Sequence, residues 1–377
     1  MVVPQTATVE QRLLEALKRG DLEGYLRALS DTHVLVFGSR RLADAGLDDP
    51  AAPLGLVQDI GGQRKVYAVT PDQTVDPGPH FVYHAMTLRT MLRRCAPLTW
   101  QLVVNQGSDH EGRIPVKRLA AWVDNHPEEI RPFSDYGNRV NAAERWSRQG
   151  RMAAALACGA HLAVQNEVPW NAVGHVYNDY PADVRLLREG WKITEYEHWR
   201  TAVESLLDPA GAPQEPDAAA PVVRAHLAAL RRDGIWEAEP GERAVPDLRA
   251  WNYGRVVNLA RWAAATKLCD PDEARETVLR AGALSAGAYG DWREFGAGYV
   301  LGRLLHFGDT DRSKYYRPIR KVHRILAEDP ASPWRTLELA AAADEDDHED
   351  DEAGDGKDDS GAGADDIGGK GGGNAGS

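Results

Sequence analysis

The sequence predicts an α+β protein, in which an N-terminal α/β sandwich domain is followed by a mostly α-helical domain and a disordered acidic tail. Short β-branched runs such as HVLVFG (33–38) and WQLVVNQ (100–106) lie early in the chain and are typical of buried strands. Beyond Asn138 apolar residues recur at helical spacing, and nine of the eleven tryptophans lie there, which favours helices packed through aromatic side chains. The predicted domains span 1–130, 131–340 and 341–377.

The N-terminal elements alternate between helix and strand. Leucines at helical intervals predict helices over 9–29, with a break at Gly20–Asp21. The strand at 33–38 leads through a Gly/Pro/Asp-rich loop to a second strand at 65–70. The remaining N-terminal predictions are a helix at Thr87–Cys95, the strand at 100–106 and a helix at Pro115–Val123.

The sequence predicts helices throughout the second half of the chain. They are predicted at 139–166, 181–189, 195–207, 221–232, 247–266, 271–287, 291–306 and 314–327. Asp270-Pro271 supplies an N-cap and a proline at the first helical position, and Thr194–Glu197 has the form of a capping box. Gly298 and Gly302, with Gly296 beside them, allow a neighbouring helix to approach closely.

Composition excludes several classes of protein. Residues 344–377 hold 13 acidic and two basic residues, whereas the rest of the chain holds 44 acidic and 42 basic residues. The folded part is therefore nearly neutral, and we expect neither a nucleic-acid partner nor a membrane surface. Three scattered cysteines are too few for a disulfide framework. Without an export signal or a long apolar run, the sequence predicts a cytoplasmic protein.

Two arginines lie among aromatic residues at helical spacing, Arg255 with Trp251 and Arg303 with Tyr299. A guanidinium on such a face must be exposed or hydrogen-bonded. One hypothesis is a pocket for a small anionic or nucleotide-like ligand; its residues are Arg255, Arg303, Asn252, Asn258 and Asp291. The alternative is that both arginines tie helices together by pairing with carboxylates such as Glu294 or with carbonyls at helix C-termini.

A basic segment at 312–324 contains no acidic residue. Its cations are Arg312, Lys314, Arg317, Arg320, Lys321 and Arg324, beside Tyr315 and Tyr316. Such a segment is compatible with a nucleic-acid backbone, with a solvated helix face, or with an intramolecular contact to the acidic tail, which starts about twenty residues later and is therefore locally concentrated.

The sequence predicts no metal site, no cofactor and no catalytic residue. His80 and His84, and likewise Cys158 and His161, have spacings that would bring two ligands onto one helical face, but each pair lacks the further ligands that zinc requires. No nucleophile elbow, P-loop or dinucleotide-binding motif is present in the sequence. We therefore interpret the chain as more suited to binding than to catalysis, without excluding a triad assembled from distant residues.

Two segments resemble known bacterial families. The stretch 9–125, with LLEALKRGDLEGYLRAL, HVLV and LVVNQGSDHEGRIPVKRL, resembles the SseB N-terminal domain family, although Gln106 stands where that family usually has proline. The stretch 140–336, with REGWKITEYEHW, AWNYGRVVNLARW, DWREFGAGYVLGR and LAEDPASPW, is similar to the bacterial domain-of-unknown-function family 1266; here Asn252 stands where that family commonly has aspartate. The first resemblance implies no catalytic residues. The second indicates architecture better than activity, and any chemistry that depends on the family's aspartate would be missing from this chain.

These observations together predict a non-catalytic bacterial protein-interaction module, linked to secretion or stress and acting through a protein partner. The competing hypothesis is an enzyme or a ligand-binding protein that holds the anionic ligand near Arg255 and Arg303. A polar cleft with shifted pKa values would favour the second hypothesis, and a flat apolar patch would favour the first.

Overall fold

The N-terminal part is built on a mixed β-sheet. A computed structural model describes residues 9–49, 55–60, 62–75, 77–95, 99–126, 140–143, 146–166, 168–173, 179–208, 216–308 and 316–343. Its strands are β1 (Val34–Ser39), β2 (Gln58–Ile60), β3 (Gln63–Val69), β4 (Phe81–Met86), β5 (Gln101–Val104) and β6 (Gly112–Pro115). Their order is β4-β1-β3-β5-β6, with β2 beside β3. Strands β3 and β5 run parallel, and the other pairs are antiparallel.

Helices pack against one face of this sheet, and the other face carries a smaller buried apolar cluster of Leu35, Val69 and Tyr83. The helices are α1 (Val9–Arg19), α2 (Leu22–Ser30), α3 (Arg40–Ala45), α4 (Leu88–Arg94) and α5 (Val116–Asn125). Leu13 and Leu26 from the helices share one core with Val66 and Leu102 from the central strands, and all four are almost fully buried. Because successive side chains of a strand point to opposite faces, one set of alternate residues is enough to build this core.

Strand β4 was not predicted, and the helical spacing considered for His80 and His84 is wrong. His84 lies in β4, which pairs along its whole length with β1, from Val34 opposite Met86 to Ser39 opposite Phe81. Phe81, Val82 and Tyr83 at the start of the segment FVYHAM favour a strand, and this local signal was missed. In the turn after β5, Asn105 and Gly107 adopt positive φ values of 51° and 81°.

The second half is helical, as predicted, and the α+β fold class is confirmed. Its helices are α6 (Gly150–Ala157), α7 (Ala160–Gln165), α8 (Tyr180–Arg185), a π-helix (Leu186–Trp191), α9 (Tyr196–Leu207), α10 (Pro221–Arg232), α11 (Arg249–Ala265), α12 (Pro271–Ala288), α13 (Trp292–Phe307), α14 (Tyr316–Glu328) and α15 (Pro333–Thr336). Helix α11 lies at the centre and contacts α7, α9, α12 and α13. Their residues form a second core, separate from that of the sheet.

Two local predictions in this half are wrong. The continuous helix expected over 139–166 begins only at Gly150 and is interrupted at Cys158–Gly159. A Cβ atom on Gly159 would lie 2.6 Å from a methyl carbon of Val257, so the interruption lies where α11 packs against the chain. The capping box at Thr194 does not form: the N-cap residue of α9 is Glu195, which makes no side-chain cap hydrogen bond.

The helical half contacts the sheet region through α8 and the π-helix. The Tyr180 hydroxyl donates a hydrogen bond of 2.6 Å to Asp44, and Arg188 pairs with Asp48. Tyr180 also packs against Val82 of β4 and Ala43 of α3. Among the helices of the described ranges, none has the length and apolar character needed to cross a membrane. The predicted tail, 341–377, lies almost entirely outside the described residues, which end at Ala343.

Candidate functional site

Helices α11 and α13 bring the two predicted arginines to one tryptophan. Trp251 and Arg255 lie one turn apart on α11, and Tyr299 and Arg303 lie one turn apart on α13, so each pair shares a helix face. Gly302 allows the two faces to meet, since a Cβ atom there would lie 2.6 Å from the Cβ atom of Trp251. Two guanidinium groups from different helices therefore lie over the same indole ring.

Arg255 lies against two tryptophan rings. Its Cζ atom is 4.7 Å from the ring centroid of Trp251 and 5.6 Å from that of Trp191. Its Nε donates to the Trp251 carbonyl at 3.3 Å, and its Nη2 donates to Oδ1 of Asn252, which is itself buried. Cation–π contacts of this kind fix the position of a guanidinium without neutralising its charge.

The π-helix supplies Trp191. A short π-helical segment is rare and occurs frequently at functional sites. Here it ends at Trp191 and is followed by Lys192, whose φ of 60° is left-handed. The sequence predicted a helix here but not its π form, and it did not connect Trp191 with Arg255. The available signal was the tryptophan in the REGWKITEYEHW segment.

Arg303 is more deeply buried than Arg255, with only 8% of its surface exposed. Its Cζ atom lies 5.7 Å from the ring centroid of Trp251 and 5.6 Å from that of Phe307. Within the described ranges, neither its Nε nor the indole Nε1 of Trp251 has a hydrogen-bond partner. Both atoms are donors only, so an acceptor would satisfy them. The ring centroid of His306 lies 5.8 Å from that of Trp251. We call Trp191, Trp251, Arg255, Arg303 and His306 the arginine–tryptophan site.

Among the described residues, no carboxylate forms an ion pair with Arg255 or Arg303. Glu294, the partner suggested by the alternative interpretation, instead accepts a hydrogen bond from the Gly290 amide at 3.0 Å. Burial lowers the pKa of Arg255 to about 10, so it is still charged at neutral pH. Burial and then the charges of Arg255 and Arg303 lower the pKa of His306. The site thus concentrates positive charge.

The other predicted ligand-binding residues have structural contacts. Asn258 is fully buried, and its Nδ2 donates to the carbonyls of Gly159 at 3.2 Å and Gly254 at 2.8 Å. Asp291 is exposed and caps α13 by accepting from the Glu294 amide at 2.8 Å. It precedes Arg303 by twelve residues, or roughly 18 Å of helix. The structure therefore brings Asn252, Arg255 and Arg303 together and leaves Asp291 apart.

The described part of the basic segment lies on the outer face of α14. Arg317, Arg320, Lys321 and Arg324 are all exposed there. Arg320 pairs with Asp233 at 3.0 Å, and Arg324 lies 3.8 Å from Glu328. Exposed pairs of this kind contribute little to stability. Arg312 and Lys314 lie outside the described residues, as does the tail that was predicted to contact this segment.

The two residue pairs considered as metal ligands, His80 with His84 and Cys158 with His161, lie in different parts of the fold. His84 is buried in β4 with its Nδ1 3.7 Å from Asp179, whereas Cys158 and His161 are buried in the helical half. No group of three or more histidine, cysteine or acidic side chains within the described ranges is arranged to hold a metal ion.

One family matches part of the chain. Residues 186–339 match a family described as "Protein of unknown function (DUF1266)", in agreement with the resemblance of the helical half. All five residues of the arginine–tryptophan site lie inside the matched region. Neither the curated proteins nor the solved structures contain a match to this chain. The match does not include the sheet region, for which the resemblance to the SseB N-terminal domain family stays a prediction.

Proposed function

We propose that this protein binds a small anionic ligand, through a carboxylate or phosphate group, at the arginine–tryptophan site. One observation carries the proposal: Arg255 and Arg303 both lie over Trp251, and no carboxylate of the described residues is paired with either. A buried charge without a counter-charge is costly. A bound anion would supply that counter-charge and the acceptors for the Arg303 Nε and Trp251 Nε1 donors.

The rings around the arginines favour a ligand with a flat, apolar part. Phe307 is 43% exposed and lies beside Arg303, and Trp191 is partly buried on the other side of Arg255. Aromatic side chains bind planar groups by stacking, and guanidinium groups bind oxyanions through paired hydrogen bonds. A nucleotide-like molecule combines both features, which makes a nucleoside monophosphate a suitable first probe.

A second candidate function is an interaction with an acidic protein partner through α14. It is supported by the exposed Arg317 and Lys321, which have no ion-pair partner among the described residues and lie beside Arg320 and Arg324. This surface would account for the interaction module predicted from the sequence. It is distinct from the arginine–tryptophan site, so separate substitutions test the two candidates.

Isothermal titration calorimetry with AMP and inorganic phosphate tests the first candidate. Arg255→Ala and Arg303→Ala should each weaken binding roughly ten- to a hundredfold, since a hydrogen bond to a charged group contributes about 1.5–3 kcal/mol. Arg255→Lys should weaken binding although it keeps the charge, because lysine lacks the planar fork. Arg317→Ala removes an equal charge from α14 and serves as the matched control.

The readings of this experiment are distinct. Weakened binding in the Arg255 and Arg303 variants, with native circular dichroism and unchanged binding in the Arg317 control, supports the arginine–tryptophan site. Equal affinity in all variants rules the site out. Equal weakening in the Arg317 control would mean that the anion binds by net charge alone, and the proposal would be abandoned.

A further inference from the structure

A column of stacked rings runs inward from the arginine–tryptophan site. The ring of Trp251 meets that of Tyr299 edge-on, with centroids 5.0 Å apart. The ring of His161 stacks on Tyr299 at 4.0 Å with an interplanar angle of 5°, and the ring of His323 lies 5.7 Å beyond His161. Trp334 closes the column, with its centroid 4.8 Å from that of His161. Two histidines thus lie directly behind the ligand site.

These histidines have unused hydrogen-bonding atoms in a fully packed interior. His161 has no exposed surface, and neither of its ring nitrogens has a hydrogen-bond partner among the described residues. His323 is 6% exposed, and its Nδ1 likewise has no hydrogen-bond partner in the part of the chain that the structure describes. Leaving a buried donor or acceptor unpaired costs about 1–3 kcal/mol for each group, and natural proteins satisfy most such groups. Two adjacent imidazoles in this condition point to a role beyond packing.

The charges that face the histidines favour their neutral form. The charged or titratable groups that face the histidines are Arg303 and Tyr299 of α13, Arg255 of α11, which lies near Tyr299, and Cys158, which precedes α7. Burial raises the pKa of Cys158 to about 12, so its thiol is neutral. Helix α15 contributes the uncharged Trp334, and no described carboxylate forms an ion pair with either histidine. The charge of Arg303 therefore acts on His161 without a compensating anion among the described residues.

We propose that the arginine–tryptophan site binds its anion together with a proton, which the His161–His323 pair takes up. The inference rests on the proposed function, since it requires an anion beside Arg303. An anion at that position offsets the guanidinium charge and attracts positive charge to the imidazoles behind it. One imidazole then becomes an imidazolium, and anion binding and protonation reinforce each other by reciprocal linkage.

The sign of the pH dependence follows from the free protein. Burial lowers the pKa of His323 to about 4, and burial, His323 and Arg303 lower that of His161 well below its ordinary value. Both are neutral at pH 7 in the free protein. If the anion raises the pKa of either histidine, the complex holds more protons than the free protein at any pH between that histidine's pKa in the free protein and its pKa in the complex. Affinity for the anion then increases as pH falls, by at most about tenfold per pH unit for one proton.

Sulfate is the appropriate probe because its charge stays constant between pH 5 and 8. Calorimetric titrations of the full chain in two buffers of different ionisation enthalpy, at pH 6, give the number of protons taken up. His306, exposed at the same site, is a competing source because Arg255 and Arg303 also lower its pKa. We compare wild type with His161→Gln, His323→Gln and His306→Gln, and with His198→Gln, an exposed histidine paired with Glu195, as the matched control.

Lower uptake in His161→Gln or His323→Gln, with unchanged uptake in His198→Gln, is the expected result. Uptake that is absent in wild type, or that falls only in His306→Gln, overturns the inference and leaves the anion site intact. Absence of sulfate binding overturns the proposed function itself. If both buried variants unfold, nitrogen-15 histidine spectra of wild type decide: sulfate must raise the apparent pKa of one of these two rings, and unchanged titration refutes the proposal.

Discussion

Replacing Gly302 by alanine should destabilise the helical half and weaken the ligand site. A Cβ atom at this position would lie 2.6 Å from the Trp251 Cβ and 3.2 Å from the Leu248 carbonyl oxygen. Neither atom moves by side-chain rotation, so α11 and α13 must separate by about 1 Å to restore an ordinary contact. Overpacking costs about 1–3 kcal/mol, and the helix propensity of alanine returns up to about 1 kcal/mol. We expect a net loss of about 1–2 kcal/mol.

The assay is urea denaturation followed by tryptophan fluorescence, which reports mainly on the helical half because nine of the eleven tryptophans lie there. Gly287→Ala is the matched control, since Gly287 lies exposed in α12 and, apart from its neighbours in that helix, no described atom lies within 4 Å of the added Cβ. It should be neutral or stabilise by up to about 1 kcal/mol. If Gly302→Ala proved as stable as Gly287→Ala, the close approach of α11 and α13 at Trp251 would be refuted.

Three further predictions test other parts of the chain. Asn258→Leu should lower the free energy of unfolding by about 1–3 kcal/mol in the same urea assay, because the carbonyls of Gly159 and Gly254 lose their donor; wild-type stability would contradict this role. Burial and then the charge of Asp179 raise the pKa of Asp183, so its stabilisation is complete below about pH 4 and is lost as pH rises through its folded pKa. Asp183→Asn should therefore gain stability relative to wild type between pH 4 and 7, measured as thermal midpoints, and parallel curves would refute it. Deletion of 344–377, which removes a net charge of −11, should expose binding of polyglutamate to α14 in low salt; unchanged binding would argue against the tail contact predicted from the sequence.

Local signals explain which helices could be predicted. Helix α10 has the predicted bounds, and α12 begins at Pro271 with the Asp270 side chain accepting from the Asp272 amide, as its start signal indicated. Such signals lie within one turn of the chain. Strand β4 was missed although Phe81, Val82 and Tyr83 supply a local strand signal; what no local signal shows is its pairing with β1, which lies about fifty residues earlier. The interruption at Gly159 was likewise invisible, since it depends on the approach of α11.

The features of the candidate site likewise fall into those that local sequence predicts and those that depend on tertiary packing. The sequence by itself determined that Trp251 and Arg255 share one helix face and that Tyr299 and Arg303 share another, because helical periodicity is a local property. The sequence separation of twelve residues also showed that Asp291 lies at the far end of its helix from Arg303, although the aromatic spacing used to group the two residues does not reveal this distance. Only the tertiary structure decided that both arginines meet Trp251, that Trp191 joins them, and that His161 and His323 lie behind. Contacts between helices depend on packing among distant residues, such as Gly302 against Trp251, and no spacing within one helix records them.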